Sequence, residues 1–300
     1  MQKNNLIGCD IEWLEDYISN IGADKRYAIK LLRWVYRKRI FDLGLINDIP
    51  RALLYEIAKN FDVGLFYPSE ILAGNDGSVK YLYQNNKDML FESVLMRAEK
   101  RNTLCVSSQS GCRMGCKFCM TGSIGFKGNL TSRDILNQLF AIPNSKEVNR
   151  IVIMGMGEPF DNSDEVFNAI RILTADWGCA FGKTNITLSS VGIIAELKRF
   201  LDFPVCNLAI SLHSPFSDER SDLMPIEKSN PIEKVVNLIR NNPLPKPLRV
   251  SFEYVALSGV NLSSNHALAI AEMFKGIPCH LNIIPWNSHE SAKFNTPKDE

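Results

Sequence analysis

From about residue 98 onward, short apolar runs alternate with longer amphipathic stretches. The runs at 103–109, 150–155, 184–189, 206–212, 248–255 and 279–285 predict strands. The stretches at 131–142, 164–175, 192–201, 231–241 and 263–275 predict helices between them. Apolar runs bounded by helices mark a parallel sheet covered on both faces. Six β/α repeats predict an incomplete barrel. A doubly wound sheet has nearly the same pattern, and periodicity alone does not separate the two.

The region before residue 98 reads differently. Residues 11–60 predict three short helices, the middle one over about Asp24 to Arg39. Arg26, Lys30, Arg33 and Arg37 fall at spacings of four, three and four, which puts them on one face. Ala28, Leu31, Leu32 and Val35 take the opposite face and should pack inward. No acid interrupts Lys25 to Arg39, so the face is either solvated surface or a phosphate-docking patch. Gly74-Asn-Asp-Gly77 marks a turn, Val79 to Gln84 alternates as a strand, and Asn85 to Asp88 connects it to a return over Met89 to Met96. The expected division is 1–70 helical, 71–97 a linking hairpin, and 98–300 the core.

At 300 residues and 45% hydrophobic, the chain can bury a core of one large domain, or one large and one small. No apolar run approaches the roughly 18 residues of a membrane span. Asp10, Glu12, Glu15 and Asp16 exclude a signal peptide at the start. Eight cysteines without an export signal point to a reducing, cytoplasmic setting, where clustered cysteine means metal or catalysis. The net charge is only +1, so a nucleic acid would have to be held by local patches.

One stretch breaks the rhythm. Cys112-Arg-Met-Gly-Cys116-Lys-Phe-Cys119 has C-x3-C-x2-C spacing, after the run Thr103 to Val106 and before the glycine-containing loop Thr121 to Gly128. Thiolate is the ligand that soft metals and iron–sulfur clusters select. A structural zinc site wants a fourth protein ligand, and no C-x2-C or H-x3-H pair follows. Three cysteines suit a [4Fe–4S] cluster with one iron open to a ligand that is not protein. Buried structural thiols would have no reason to bunch.

With an aromatic residue just before the last cysteine, this spacing resembles the signature of the radical S-adenosylmethionine (SAM) superfamily. Four blocks narrow the resemblance to the RlmN/Cfr family, which methylates adenine carbons in ribosomal RNA. They are Leu104-Cys105-Val106-Ser107-Ser108-Gln109-x-Gly111-Cys112, Gly155-Met156-Gly157-Glu158-Pro159, Ser211-Leu212-His213 and Ile284-Pro285-Trp286-Asn287. They fall in family order, and the likeness runs from about residue 10 to the last residue.

The resemblance implies a partial (β/α)6 radical SAM barrel, with a small N-terminal helical domain that contacts RNA and a linking β-hairpin. It implies one [4Fe–4S] cluster per chain on Cys112, Cys116 and Cys119, with SAM on the open iron. In a parallel barrel the active site lies at the C-terminal ends of the strands, and the motif residues fall there. Gly157, Glu158, Ser189, Ser211, Leu212, His213 and Asn287 are the implied SAM-binding set, Glu158 facing the SAM ammonium. Cys105 and Glu92 match the family's cysteine and glutamate that act on the covalent RNA–enzyme adduct. The implied partners are 23S rRNA, with tRNA as a further substrate, and an external flavodoxin-like electron donor, for a cytoplasmic monomer without membrane contact. Cys9, Cys179, Cys206 and Cys279 have no partner at metal spacing and read as structural.

One departure stands out. The family carries its transferred methyl group on a cysteine in an Ala-Cys-Gly-type segment beyond the sixth strand, and no such segment occurs up to Glu300. Thr296, Pro297, Asp299 and Glu300 read as the start of a helix. The expectation is therefore a truncated chain that cleaves SAM without methylating RNA. The expected activity of the family protein is C2 methylation of adenosine through a methyl-cysteine. C8 methylation, as in Cfr, shares every motif above, and a non-catalytic zinc-holding RNA-binding protein is the rival from another class.

Overall fold

The computed structural model describes residues 3–289 and 292–297. Asp299 and Glu300, part of the expected terminal helix start, lie outside the described residues. Packing divides the rest into two compact units interleaved along the chain. One holds the residues up to Val106 with Leu130–Ile151 and Asp164–Gly182; the other holds Ser107–Asn129, Val152–Ser163 and the described residues from Lys183 onward.

The first unit opens with three helices, Ile11–Asn20, Arg26–Tyr36 and Arg51–Asn60. Asp10 caps the first by accepting from the amides of Glu12 and Trp13. The second buries Ala28, Leu31, Leu32, Val35 and Tyr36, the stripe that helical periodicity marks out. It is shorter than the span 24–39. The amides of Arg37 and Lys38 both turn to the Arg33 carbonyl, and Arg39 takes φ 54°, a left-handed conformation that ends a helix.

The expected hairpin is the middle of a wider antiparallel ladder. Val79–Gln84 pairs with Leu90–Ala98; Glu70–Ala73 adds outside the former and Arg101–Cys105 outside the latter. The strand expected over 103–109 therefore stops at Cys105. Beyond it the backbone leaves the ladder, and the amides of Ser108 and Gln109 both donate to the Met156 carbonyl, at 2.9 and 3.1 Å. Helix Ser132–Phe140 follows in this unit, opened by a capping box between Thr131 and Asp134.

In the second unit Ile186–Ser190, Asn207–Ser211, Val250–Ala256 and Cys279–Pro285 pair in parallel, in chain order. Helices Ile194–Asp202, Ile232–Asn241 and Ser264–Met273 connect them. Asn207–Ser211 and Val250–Ala256 are buried almost throughout, as continuous apolar runs should be in a parallel sheet. Two pieces had no periodic signal: the helix Ser217–Leu223 and the 3-10 turn Pro225–Lys228. Both are too short and too polar to show one, and both bear on the site.

Candidate active site

The cysteine stretch folds as a loop shaped by glycine. Gly111 has φ 72°, and a Cβ there would stand 1.7 Å from the carbonyl oxygen of Gly125, so no other residue fits. The Cys119 amide donates to the Cys116 carbonyl at 3.1 Å, and the Lys117 amide reaches the Leu223 carbonyl at 2.9 Å. Trp286 Nε1 donates to the Phe118 carbonyl at 2.9 Å. Thr296 donates its hydroxyl to the Trp286 carbonyl at 2.8 Å, holding the segment that holds the loop.

Cys112, Cys116 and Cys119 are half-buried and line one cavity of about 230 Å³. Burial pushes the Cys112 thiol up to about 11, opposed by a backbone hydrogen bond from Met114 and reinforced by Glu158 and Cys119. Cys116 is raised further, by burial first and then by Cys119 and Cys112. Three thiols in one cavity wall are a donor set for soft metal, which removes their protons on binding. They are not gathered on one point: among the described residues no three Cys, His, Asp or Glu side chains converge to hold a single ion.

Glu158 lies in the same cavity wall and is 3% exposed. Its Oε1 accepts from Ser190 Oγ at 2.6 Å and from the Phe160 amide at 3.0 Å, and its Oε2 accepts from the Val191 amide at 2.9 Å. Burial nevertheless lifts its carboxyl to about 7, outweighing those three bonds. Gly157 takes φ 104°, and a Cβ there would meet Gln109 Cβ at 2.6 Å. The close approach that this glycine permits is to Gln109, whose side-chain Oε1 accepts from the Glu158 amide at 2.9 Å.

The strand ends supply Ser189, Ser211 and His213 to the cavity. His213 has φ 56°, and its Nδ1 accepts from the Val255 amide at 2.9 Å. Burial, with help from the Arg220 charge, pulls the ring down to about 3, so it is neutral with its proton on Nε2. Leu212 is fully buried in the core and exposed Asn287 stands outside the cavity wall, so of the predicted set these two are not brought in.

Sequence reasoning missed Arg220 and Glu253. Arg220 is completely buried: Nε donates to the Leu212 carbonyl at 3.0 Å, while Nη2 donates to Val191 and Ser211 carbonyls at 3.0 and 2.9 Å. Nη1 pairs with Glu227, which also accepts from Ser217 Oγ and the Ile232 amide. The guanidinium thus pins the ends of two strands that carry site residues, and it opposes the upward push on Cys116. Glu253 sits on the next strand, in register with Ser211, and lines the cavity. Neither residue belongs to a motif; only an acid inside an apolar run, and an arginine in a short polar helix, mark them.

In the first unit, Cys105 stands opposite Val94 in the ladder. Glu92 is two residues from Val94, so Glu92 and Cys105 share a face as diagonal neighbours, about 7–8 Å apart between backbones. Lys80, opposite Val94 on the other side, reaches the Glu92 carboxylate at 3.0 Å. The basic helix face is exposed but partly answered: Arg26 pairs with Asp24 at 2.5 Å and Arg33 with Asp176 at 3.3 Å. Local sequence showed no acid there because one lies just before the helix and the other far along the chain.

A larger cavity, about 690 Å³, opens at the amino-terminal ends of the last two strands, among Arg240, Lys246, Arg249 and His280. It holds neither the cysteine triad nor a carboxylate. Chemistry, not volume, selects the smaller one.

Comparison with known proteins gives the family. The Radical SAM superfamily model matches residues 106–269. The probable dual-specificity RNA methyltransferase RlmN of Parabacteroides distasonis is 40% identical over 296 residues, 99% of this chain and 86% of that protein. The dual-specificity RNA methyltransferase RlmN of Syntrophus aciditrophicus is 34% identical over 304 residues, 100% of this chain and 87% of that protein. The crystal structure of a radical SAM methyltransferase from Sphaerobacter thermophilus superposes with a TM-score of 0.90 at 33% identity, covering 98% of this chain and 89% of that one. The fold is therefore the radical SAM α/β fold expected from the motif, and the chain belongs to the radical SAM superfamily and, within it, to the RlmN family of SAM-dependent methyltransferases.

Proposed function

We propose that this protein belongs to the enzymes that methylate C2 of an adenosine in 23S rRNA, with tRNA as a second substrate, through a methyl-cysteine intermediate. The observation that carries the reading is one cavity lined by Cys112, Cys116 and Cys119 together with Glu158, Ser189, Ser211 and His213. Cys112, Cys116 and Cys119 would hold a [4Fe–4S] cluster, as the C-x3-C-x2-C spacing with no fourth clustered ligand supports. The cluster, when bound, supplies the electron that cleaves SAM, and that chemistry is the cofactor's. The protein's part is to bind, orient and shield. Ser189 and Ser211 offer hydroxyls, neutral His213 offers an Nε2–H donor, and the buried wall excludes water. Gly157 completes the proposed SAM set in the cavity wall, and Leu212, through its backbone, and Asn287 are its proposed members from outside that wall.

Glu92 and Cys105, on one ladder face, are the proposed pair that takes a proton from the RNA adduct and resolves it. The exposed Arg26, Lys30, Arg33 and Arg37 face is the proposed phosphate contact. A flavodoxin-like donor in the cytoplasm would supply electrons to the monomer. No helix among the described residues is long and apolar enough to cross a membrane.

The test is an anaerobic assay with reductant, SAM, a 23S rRNA fragment and tRNA. Release of 5′-deoxyadenosine, with methyl found at C2, supports the proposal. Methyl at C8 moves the protein to the Cfr activity. An iron-loaded protein that leaves SAM intact overturns it.

A further inference from the structure

Two carboxylates line the cavity, and their surroundings differ. Glu158 spends both oxygens on protein: three donors reach it from Ser190, Phe160 and Val191. A carboxylate has about four acceptor positions, so Glu158 keeps little for a ligand. Glu253 is 7% exposed, on the strand Val250–Ala256, and uses one oxygen only. Ser251 Oγ and Asn282 Nδ2 both donate to its Oε1, each at 2.9 Å. Among the described residues Oε2 has no hydrogen-bond partner, and it is not sealed away.

A carboxylate more than nine-tenths buried, with one oxygen unanswered, needs a donor. The register says where that donor comes from. Ser211, Glu253 and Asn282 stand side by side on three adjacent parallel strands, so their side chains share one level and one face. Asn282 braces Glu253 from one side. Ser211, on the other side, opens into the same cavity as the cysteine triad.

We propose, resting on the SAM-dependent reading above, that Glu253 is a SAM-binding residue whose Oε2 accepts a hydrogen bond from a ribose hydroxyl of the cofactor. A hydroxyl fits better than a cation at this position. Oε1 is already neutralised in part by two donors, and a vicinal diol supplies neutral donors that carboxylates take in other nucleotide sites. On that same reading, the amino and carboxylate end of SAM would lie toward the cysteines, leaving its ribose for the strand ends. Glu158 then acts as the brace that holds Ser190 and Val191, not as the ligand.

The experiment is equilibrium dialysis of SAM against anaerobically reconstituted protein, with iron per chain measured on every sample. Glu253→Gln keeps shape and an acceptor for Ser251 and Asn282 but turns an N–H₂ donor toward the cavity. Iron content should stay at the wild-type level while SAM affinity falls about tenfold or more, as expected for one hydrogen bond to a charged group. A SAM analogue lacking both ribose hydroxyls should bind the wild type more weakly by a similar factor and the variant with no further loss. Wild-type SAM affinity in Glu253→Gln, or an undiminished analogue effect in it, overturns the assignment. Should that variant not fold, Glu253→Asp, which withdraws the oxygen by one methylene, must also bind SAM more weakly. Wild-type affinity in the Asp variant overturns the assignment too. A wild-type protein that holds iron but binds no SAM sinks the parent reading along with this one.

Discussion

The amide of Val255 donates to Nδ1 of His213 at 2.9 Å, which fixes a buried imidazole as a neutral ring within the cavity wall. Its titration falls from the ordinary 6.5 to about 3 because burial disfavours the cation. The unfolded chain takes up a proton near 6.5 and the folded one does not. Stability is therefore full above 6.5 and is lost as pH falls toward 3, by up to about 1.4 kcal/mol per pH unit. Denaturant unfolding of His213→Asn, which keeps an acceptor for Val255, should show a flatter acid limb than the wild type. Parallel curves would assign the acid limb to other groups.

Glu158 has the opposite sign. Its carboxyl is raised from 4.5 to about 7, so the folded state holds a proton that the unfolded state releases. That contribution is present below 4.5 and is lost as pH rises through 7. Glu158→Gln should remove this slope between pH 4.5 and 7. It should also lower stability by about 1–3 kcal/mol at every pH, because an amide N–H₂ would face the Val191 amide. A variant that keeps the wild-type slope would show that Glu158 does not titrate there.

Gly157 is held at φ 104° with Gln109 against it. Gly157→Ala should destabilise by about 1–3 kcal/mol, from left-handed strain and contact together. Gln109→Ala should not rescue it, since the Gln109 backbone nitrogen is also within 2.8 Å of the added methyl. Rescue in the double variant, read from thermal unfolding, would mean the side chain alone sets the requirement.

Replacing Cys112, Cys116 or Cys119 by Ala should remove the brown chromophore and the iron, read by absorbance and metal analysis. Cys105→Ala should retain both, because Cys105 ends a strand of the antiparallel ladder outside the thiol-lined cavity wall. Loss of iron in Cys105→Ala would make it a ligand.

Neutralising Arg26, Lys30, Arg33 and Arg37 should flatten the log–log salt dependence of RNA binding by about two units, not four. Two of the four charges are already paired with Asp24 and Asp176. SAM binding should be unchanged. An unaltered salt slope would return this face to solvated surface.

The cysteine triad was legible because its spacing is a local property: three thiols within eight residues are carried together on one loop and line one cavity. The inward stripe of the second helix and the parallel strands were legible for the same reason, since period 3.6 and continuous burial are written in neighbouring residues. The strand expected over 103–109 was overextended because its end is set by Met156, nearly fifty residues away, which takes the amides of Ser108 and Gln109.

What tertiary structure alone decided is which polar groups are spent and which are left. Glu158 belongs to a recognisable motif, yet its oxygens are consumed by Ser190, Phe160 and Val191. Glu253 sits in an apolar run with no motif, yet strand register sets it beside Ser211 with one oxygen unanswered. Arg220 looks like a surface residue of a short polar helix, and its carbonyl partners place it at the centre of two strand ends. Spacing along a chain specifies which groups can reach a common centre. Hydrogen-bond satisfaction is a balance over atoms from distant segments, and it exists only once the strands have paired.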